Sequence, residues 1–221
     1  MQQDGTVLID KPAGMSSFGV VARIRRVLRQ RGGGAKIKVG HTGTLDPFAT
    51  GLMILVVGSE CRNAMHYTKL DKVYEATIVL GSESTTGDPE GDVRQVSTAV
   101  PSREDVARCL RRFTGEIRQR PPIFSAIKIN GQRAYKLARE GKEIDIPERT
   151  VLIYAIDTIS YTYPELRLRV HVSSGTYIRS LAVDIGASLA TGAYCRELRR
   201  TQIGSWSIDQ AKSLSAYGIT S

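Results

Sequence analysis

The stretch GHTGTLDPFATG, residues 40–51, concentrates side chains that can do chemistry. It holds one histidine, His41, and one aspartate, Asp46, among three glycines and three threonines. Such a run is typical of a phosphate-binding loop, a catalytic loop or a surface turn. Asp46 also precedes Pro47, and this pair is common in plain turns, where the carboxylate bonds nearby backbone amides. The role of Asp46 is therefore the first question that the sequence poses.

The residues around this stretch argue against nucleotide and metal sites. A nucleotide phosphate loop needs Lys and then Ser or Thr directly after its last glycine, at the start of a helix. Here Gly51 is followed by LMILVV, an apolar run of strand length. The chain has only three histidines, and Cys61, Cys109 and Cys195 lie far apart without metal-ligand spacing. No nucleophile-elbow pattern supports a Ser-His-Asp triad, and no zinc or iron–sulfur site is expected.

The charge balance favours an acidic partner. The 221 residues include 31 Lys and Arg against 22 Asp and Glu, which gives a formal net charge of +9 and a pI near 9.6. Arginines cluster at 23–31, 111–120 and 196–200, and a planar guanidinium binds phosphate bidentately. Nucleic acid is the favoured partner, and a solvated basic face is the alternative. No apolar run approaches the roughly 20 residues of a membrane span, and no secretory signal is visible, so a cytoplasmic protein is expected.

Short strands and irregularly spaced helices must position these side chains. Strands are predicted at 5–10, 52–58, 72–81, 149–163 and 165–175, and helices near 18–29, 102–113, 133–141 and 178–189. The pair Asn130-Gly131 predicts a hairpin turn, residues 31–40 a basic connector, and residues 82–92 a loop. Because strands and helices do not alternate regularly, we expect an α+β fold around a mixed sheet.

Six blocks follow one another between residues 5 and 204: GTVLIDKPAGMSS, GHTGTLDPFATGLMILVVG, KVYEATIVLG, RQRPPIFSAIKINGQRAYKLAREG, SSGTYIRSLAVDIG and ELRRTQIG. In this order they resemble the TruB family of tRNA pseudouridine synthases. The resemblance implies the pseudouridine-synthase fold, a mixed and mainly antiparallel sheet flanked by helices and loops. It also implies an isomerase that needs no cofactor and converts uridine to pseudouridine at position 55 in the T loop of tRNA. The reaction flips the base, breaks the glycosidic bond and re-forms it through carbon.

Matched position by position, the blocks imply a catalytic set. Asp46 aligns with the catalytic carboxylate, Tyr74 with a tyrosine that stacks on the target base, and Arg179 with the arginine that pairs with the aspartate. Asp46 either adds to the anomeric carbon or stabilises charge there and takes a ribose proton, and the residues leave both routes open. His41 matches the histidine that fills the space left by the flipped base. Tyr177 is expected to share a face with Arg179, if the chain is extended there, and to pack the base or orient Asp46.

Three further residues are candidates for substrate binding, each with a structural alternative. Leu198 matches an apolar pocket residue, although leucine is more often core. Lys11 either contacts RNA phosphate or closes a turn. Thr44, like Thr42, serves either the loop or the backbone phosphates. Candidate phosphate contacts elsewhere are the basic side chains of Arg23, Arg26, Arg133, Lys136 and Arg139.

The sequence departs from the family pattern in three places. Phe124 replaces a tyrosine, GSECRNA replaces a more usual helix start, and the chain stops at Ser221. We therefore expect a catalytic domain at 1–205 and a tail at 206–221 that is too short for an RNA-binding PUA domain. A monomer without an obligatory protein partner is expected. An RNA-binding or tRNA-folding protein without turnover, and a relative that needs guide RNA, remain as alternative hypotheses.

Overall fold

Strands and helices follow one another irregularly in the computed structural model, which describes residues 4–34, 36–125, 127–129, 131–141 and 144–219. The strands there are β1 (Gly5–Lys11), β2 (Val39–His41), β3 (Thr50–Val57), β4 (Lys72–Leu80), β5 (Ser82–Ser84), β6 (Val93–Gln95), β7 (Gly115–Gln119), β8 (Lys128–Ile129), β9 (Gln132–Arg133), β10 (Arg149–Thr162), β11 (Glu165–Val172), β12 (Ala193–Ile203), β13 (Trp206–Ser207) and β14 (Lys212–Ser213). The α-helices are α1 (Ser17–Arg31), α2 (Ala64–Lys69), α3 (Arg103–Arg112), α4 (Ala134–Arg139) and α5 (Ile178–Ser188). Short 3-10 helices cover Gly58–Asn63, Ile208–Gln210 and Leu214–Tyr217.

The chain divides into two compact units, residues 1–74 with 199–221 and residues 75–198, so that the division falls within β4 and β12. In the first unit β3 is central. It pairs antiparallel with β1 and with β2, and parallel with the end of β12. Every residue from Leu52 to Val57 is at most 1% exposed, so the predicted strand forms and its continuous apolar run is buried on both faces. Residues 206–219, expected to be a tail, contribute β13 and β14 to this unit.

Helix α1 begins where its capping sequence predicts. The Ser16 hydroxyl accepts a hydrogen bond from the backbone of Gly19 and caps the first turn. The buried side chains recur at helical spacing along one face and are Val20, Val21, Ile24 and Leu28. Arginines fill the other faces, so the helix presents its charge outward.

In the second unit, β10 forms a long antiparallel hairpin with β11 and also pairs with β7. Alternate residues of β11, Leu166, Leu168 and Val170, are fully buried, as the alternation of a half-buried strand predicts. Helix α3 begins with a capping box, in which the Ser102 and Asp105 side chains each bond the other residue's backbone. Helix α5 is buried along Ile178, Leu181, Ala182 and Ile185.

The α+β class with a mixed, mainly antiparallel sheet is confirmed, because β1–β14 and β3–β12 are parallel pairs among antiparallel ones. Two local predictions were wrong. The polar run 82–92 is a small hairpin rather than only a loop, since β5 pairs with β6. The connector 31–40 ends in a strand, β2. The predicted turn residue Asn130 lies outside the described residues. In the sequence, β8 precedes the Asn130-Gly131 pair and β9 follows it.

Candidate functional site

The loop that carries Asp46 runs from β2 into β3. The backbone amide of Ala49 donates to the Asp46 carbonyl at 3.2 Å, which closes the turn that an Asp-Pro pair favours. The Gly14 amide donates to the Pro47 carbonyl at 2.8 Å and ties this turn to the segment after β1. The Asp46 side chain is half-buried, so the turn holds a partly accessible carboxylate in place.

The side chain of Lys11 supports the same loop through hydrogen bonds. Its side chain is 0% exposed, and its ammonium donates to the carbonyls of Pro12 at 2.8 Å, Met15 at 2.6 Å and Pro47 at 3.1 Å. Of the two predicted roles, these contacts support closing the turn, and the phosphate contact stays a prediction.

The first residue of α1 clasps the loop through its side chain. The Ser17 hydroxyl donates to the Leu45 carbonyl at 2.8 Å and accepts from the Leu45 amide at 2.8 Å. Both Ser17 and Leu45 are buried, at 3% exposure each. The residue directly before Asp46 is therefore fixed to the helix by two hydrogen bonds.

Arg200 supports the other side of the loop through hydrogen bonds, and it was not among the candidates predicted from the sequence. It is 1% exposed; its Nε donates to the Leu52 carbonyl at 2.8 Å and its Nη2 to the Gly43 carbonyl at 3.1 Å. Its guanidinium carbon also lies 6.0 Å from the centroid of the Tyr74 ring. One signal was available, because Arg200 follows Leu198 by two residues in a strand and so shares its face.

Two glycines give Arg200 this position. Gly51 has φ +107°, and a Cβ built on it would lie 2.3 Å from the backbone oxygen of Arg200 and 2.7 Å from its nitrogen. A Cβ on Gly43 would lie 3.4 Å from Arg200 Nη1. Gly51 thus serves close backbone approach, which explains part of the composition of the GHTGTLDPFATG stretch.

Tyr74, the predicted base-stacking residue, lies in β4 and is only 8% exposed. Lys72, two residues earlier, donates from its ammonium to the Thr68 carbonyl at 2.8 Å and to the Leu70 carbonyl. Burial, and then the nearby charge of Arg200, lower the pKa of Lys72 to about 8. The region around Tyr74 is thus dense in buried positive charge.

In the second unit, Arg179 belongs to a buried network of its own. Its Nη1 lies 3.0 Å from an Asp88 carboxylate oxygen and donates to the Thr86 carbonyl at 3.0 Å. Its Nη2 donates to the Phe124 carbonyl at 2.7 Å. Arg179 is 3% exposed and Asp88 is 2% exposed. These contacts aim the guanidinium, and its predicted pairing with Asp46 stays a prediction.

Asp88 is the second functional candidate that sequence reasoning missed. One of its carboxylate oxygens accepts from the Thr86 hydroxyl at 2.5 Å and from the Glu90 amide at 3.0 Å, while the other faces Arg179. The acid-rich run 82–92 was interpreted as solvated loop, and nothing in its composition separates this buried carboxylate from its exposed neighbours.

Tyr177 differs from its prediction in one respect. It is the N-cap residue of α5, with φ −105° and ψ 114°, whereas Arg179 is already helical. The two residues therefore do not share a strand face as an extended chain would require. The Tyr177 amide and carbonyl both bond the Gln119 side chain, and the Arg149 guanidinium lies 4.8 Å over the tyrosine ring.

The remaining candidates differ mainly in accessibility. His41 ends β2 and is half-buried, Thr44 is exposed, and Leu198 in β12 is 8% exposed. The buried Thr42 hydroxyl donates to the Ile54 carbonyl at 3.2 Å, which makes it a loop residue. Arg26, Arg133 and Lys136 are exposed, and the Arg139 side chain lies outside the described part of the structure.

The described residues contain neither a metal-binding cluster nor a membrane-spanning helix. No three His, Cys, Asp or Glu side chains there are grouped as a metal site would require. No helix in the described part of the chain is both long and apolar enough to cross a membrane.

The sequence and the fold both resemble known proteins. A family described as "TruB family pseudouridylate synthase (N terminal domain)" matches residues 25–178. The chain is 42% identical over 220 residues to tRNA pseudouridine synthase B of Corynebacterium efficiens, covering 97% of this chain and 72% of that relative. It is 40% identical over 213 residues to the protein of that name from Aromatoleum aromaticum, covering 96% of this chain and 67% of the relative.

Among solved structures, the chain resembles one in a Cbf5-Nop10-Gar1 complex with a TM-score of 0.73 and 32% identity, over 96% of this chain and 53% of that one. It resembles another, in an H/ACA RNP bound to a substrate RNA containing 2'-deoxyuridine, with a TM-score of 0.70 and 28% identity, over 96% and 52% of the two chains. This chain therefore spans about half the length of those two.

Proposed function

This chain belongs to the TruB family of pseudouridylate synthases, and on that premise we propose that it converts uridine 55 in the T loop of tRNA to pseudouridine, with Asp46 as the catalytic carboxylate. The predicted pseudouridine-synthase fold agrees with the solved structures that it resembles over 96% of its length. The observation that carries the proposal is the Asp46 loop. Buried contacts from Lys11, Ser17 and Arg200 hold a partly accessible carboxylate there.

The proposed reaction needs no net oxidation or reduction. The bond from uracil N1 to the ribose anomeric carbon breaks, the base turns, and a bond from C5 to the same carbon forms. C5 loses its proton, and N1 gains one. Asp46 either adds to the anomeric carbon or stabilises its positive charge and takes a ribose proton, and both routes use the same fixed carboxylate.

Access to the anomeric carbon requires the nucleotide to leave the base stack. In the proposal His41 fills the space that the base vacates, and the ring of Tyr74 stacks on the flipped uracil. Tyr177, Leu198 and Thr44 remain proposed substrate contacts.

Arg179 completes the proposed catalytic set as the partner of Asp46. A guanidinium beside a carboxylate favours its ionised form, which either route requires. The buried contacts of Arg179 with Asp88, Thr86 and Phe124 support this role because they orient the guanidinium within its own unit.

The deciding experiment measures tritium release from unmodified tRNA labelled at uridine C5. The parent protein is expected to release tritium from one site, and Asp46→Asn to release none while still binding tRNA. Asp157→Asn, a change of the same kind at an exposed position of β10, is the matched control and should behave as the parent. Equal release by the parent and Asp46→Asn would reject the role of Asp46.

Sequencing the product tests the target position. Pseudouridine found elsewhere than position 55 would reject the T-loop assignment while leaving the isomerase intact. If the parent protein binds tRNA but releases no tritium, an RNA-binding protein without turnover is the better description. The proposed independence of a protein partner is tested directly, because the purified chain alone is assayed.

A further inference from the structure

A basic groove of about 500 Å³ lies between helix α1 and the segment that leads into β2. Its lining includes Arg25 and Arg29 from the helix, Lys36 and Lys38 from the segment, and Gly40 and Cys61. All four cationic side chains belong to exposed residues. The groove therefore joins four positive charges from two elements that are separate in the sequence.

No acidic residue lines the groove, and none of the four cations forms an ion pair within the described residues. The two arginines are held by backbone carbonyls instead. Arg25 Nη2 donates to Val39 at 2.9 Å, and Arg29 Nε donates to Gly34 at 3.2 Å. Carbonyls orient a guanidinium without neutralising it, so its charge remains available to an anion.

The position of the groove on the helix explains why the sequence did not reveal it. On this helix, Arg23 and Arg26 were the phosphate contacts predicted from the sequence. Arg25 and Arg29 are spaced i and i+4, so they lie on one face, one turn apart, and this is the face turned toward β2. In the structure, the segment with Lys36 and Lys38 lies beside α1, so these two lysines share a surface with Arg25 and Arg29.

The groove is also continuous with the candidate site. Gly40 lines it, and His41 is the next residue in the chain. Lys38 precedes His41 by three residues, about 10 Å of extended chain. An RNA strand in which His41 fills the space left by the flipped base would therefore bring its neighbouring phosphates to the groove.

From this arrangement we infer that the groove between α1 and β2 binds the phosphodiester backbone of the substrate RNA strand next to the flipped nucleotide. The inference rests on the proposed function for the identity of the RNA. Exposed cations in two rows suit an extended polyanion, because phosphate contacts position an RNA through several charges. A single small anion would be expected to have converging donors from buried polar side chains.

The test compares two double variants that each remove two charges. Lys36→Gln/Lys38→Gln changes the groove and leaves the carbonyl-held arginines in place. Lys69→Gln/Lys212→Gln changes two exposed lysines of the same unit outside the groove. Binding of unmodified tRNA, and of an isolated T-arm hairpin, is measured across a range of KCl concentrations.

The groove variant should bind both RNAs about ten-fold more weakly at low salt. Its slope of log affinity against log salt should fall by roughly 0.7–0.9 for each lost phosphate contact, whereas the control variant should change little. Equal effects of the two variants would overturn the inference. A loss seen with tRNA but not with the hairpin would overturn it as well, since the groove would then bind a distant part of the RNA.

Cys61 supplies a second readout that does not depend on turnover. It is half-buried in the groove lining, whereas Cys109 and Cys195 are buried. The hairpin should slow alkylation of Cys61 in the parent protein and do so less in the groove variant. Inorganic phosphate alone is the other arm, and protection by phosphate without protection by RNA would identify a small-anion site and overturn the inference. Because binding and protection are read without catalysis, failure of the isomerase proposal is seen separately.

Discussion

Arg179 and Asp88 form an ion pair of 3.0 Å in which both side chains are only 3% exposed. Asp88 also accepts hydrogen bonds from the Thr86 hydroxyl and the Glu90 amide, and these fix its carboxylate independently of the guanidinium. A buried charge pair contributes little net stability, since desolvation offsets attraction. We interpret the pair as a positioning device for Arg179, and Asp88 as a positioning residue.

Asp88→Asn should lower kcat at least ten-fold and leave KM nearly unchanged, because the variant keeps the RNA surface but leaves Arg179 without its orienting charge. Breaking a buried ion pair costs about 3–5 kcal/mol, so a lower melting temperature is also expected. Steady-state kinetics and thermal unfolding measure the two effects. Asp92→Asn, in the same hairpin but exposed, is the control. A variant with reduced stability and unchanged kcat would show that the pair is only structural.

Arg200→Lys should lower kcat while tRNA binding persists. A lysine ammonium cannot reproduce the planar donors that reach Leu52 and Gly43 together, so the Asp46 loop loses one of its supports. The neighbouring Arg199→Lys is the matched control. Arg199 forms hydrogen bonds of 3.1 Å and 2.8 Å to the two carboxylate oxygens of Asp10, and its change should affect stability more than turnover. Single-turnover rates at saturating tRNA distinguish the two variants. Equal rates would contradict the role of Arg200 in supporting the Asp46 loop.

Most of the longer elements could be predicted from the sequence, because capping residues such as Ser16 and Ser102 and apolar spacing act locally. The LMILVV run was correctly assigned as a strand, whereas the long strand β12 was not predicted. The burial of Lys11, Asp88 and Arg200 could not be predicted in this way. Each is a charged residue whose partners are mostly backbone carbonyls or come from distant parts of the chain, and composition treats such residues as exposed.

The catalytic assignments came from the family resemblance and from no local pattern. An Asp-Pro pair predicts a turn, and the structure contains that turn. The chemistry assigned to Asp46 still awaits the tritium experiment. The turn and the carboxylate are compatible, since the first holds the second in place.

Stability should depend on pH through Lys72. Its pKa in the folded protein, about 8, lies below the ordinary lysine value of 10.5, so the unfolded chain binds more protons between these values. The contribution of Lys72 to stability therefore rises as pH increases from about 8 to 10.5, and it is constant below about 8, where the lysine is protonated in both states. Lys72→Met should flatten this rise in urea unfolding measured across the range. Lys69→Met, a change at an exposed lysine, is the control and should have the same pH profile as the parent. An unchanged slope in Lys72→Met would contradict the assignment of this pH dependence to Lys72.

Gly51→Ala should prevent folding or destabilise the protein severely. The added Cβ would lie 2.3 Å from the Arg200 backbone oxygen, at a φ of +107° that side chains rarely adopt. Gly218→Ala is the control, because its φ is also positive, +76°, and no atom lies within 4 Å of the added Cβ. That variant should lose only about 1–2 kcal/mol. Comparable unfolding of both variants by urea would show that backbone conformation, and not the contact with Arg200, sets the cost.

The contact at Gly51 has a consequence for inheritance. Every other amino acid carries a Cβ, so any missense change of this codon meets the same backbone atoms of Arg200, whatever the chemistry of the new side chain. At neighbouring positions one residue can be replaced by another of similar size and chemistry. At position 51 no other residue is similar enough to glycine to be accepted. In a saturation library selected for a folded, active enzyme, that column should contain glycine alone.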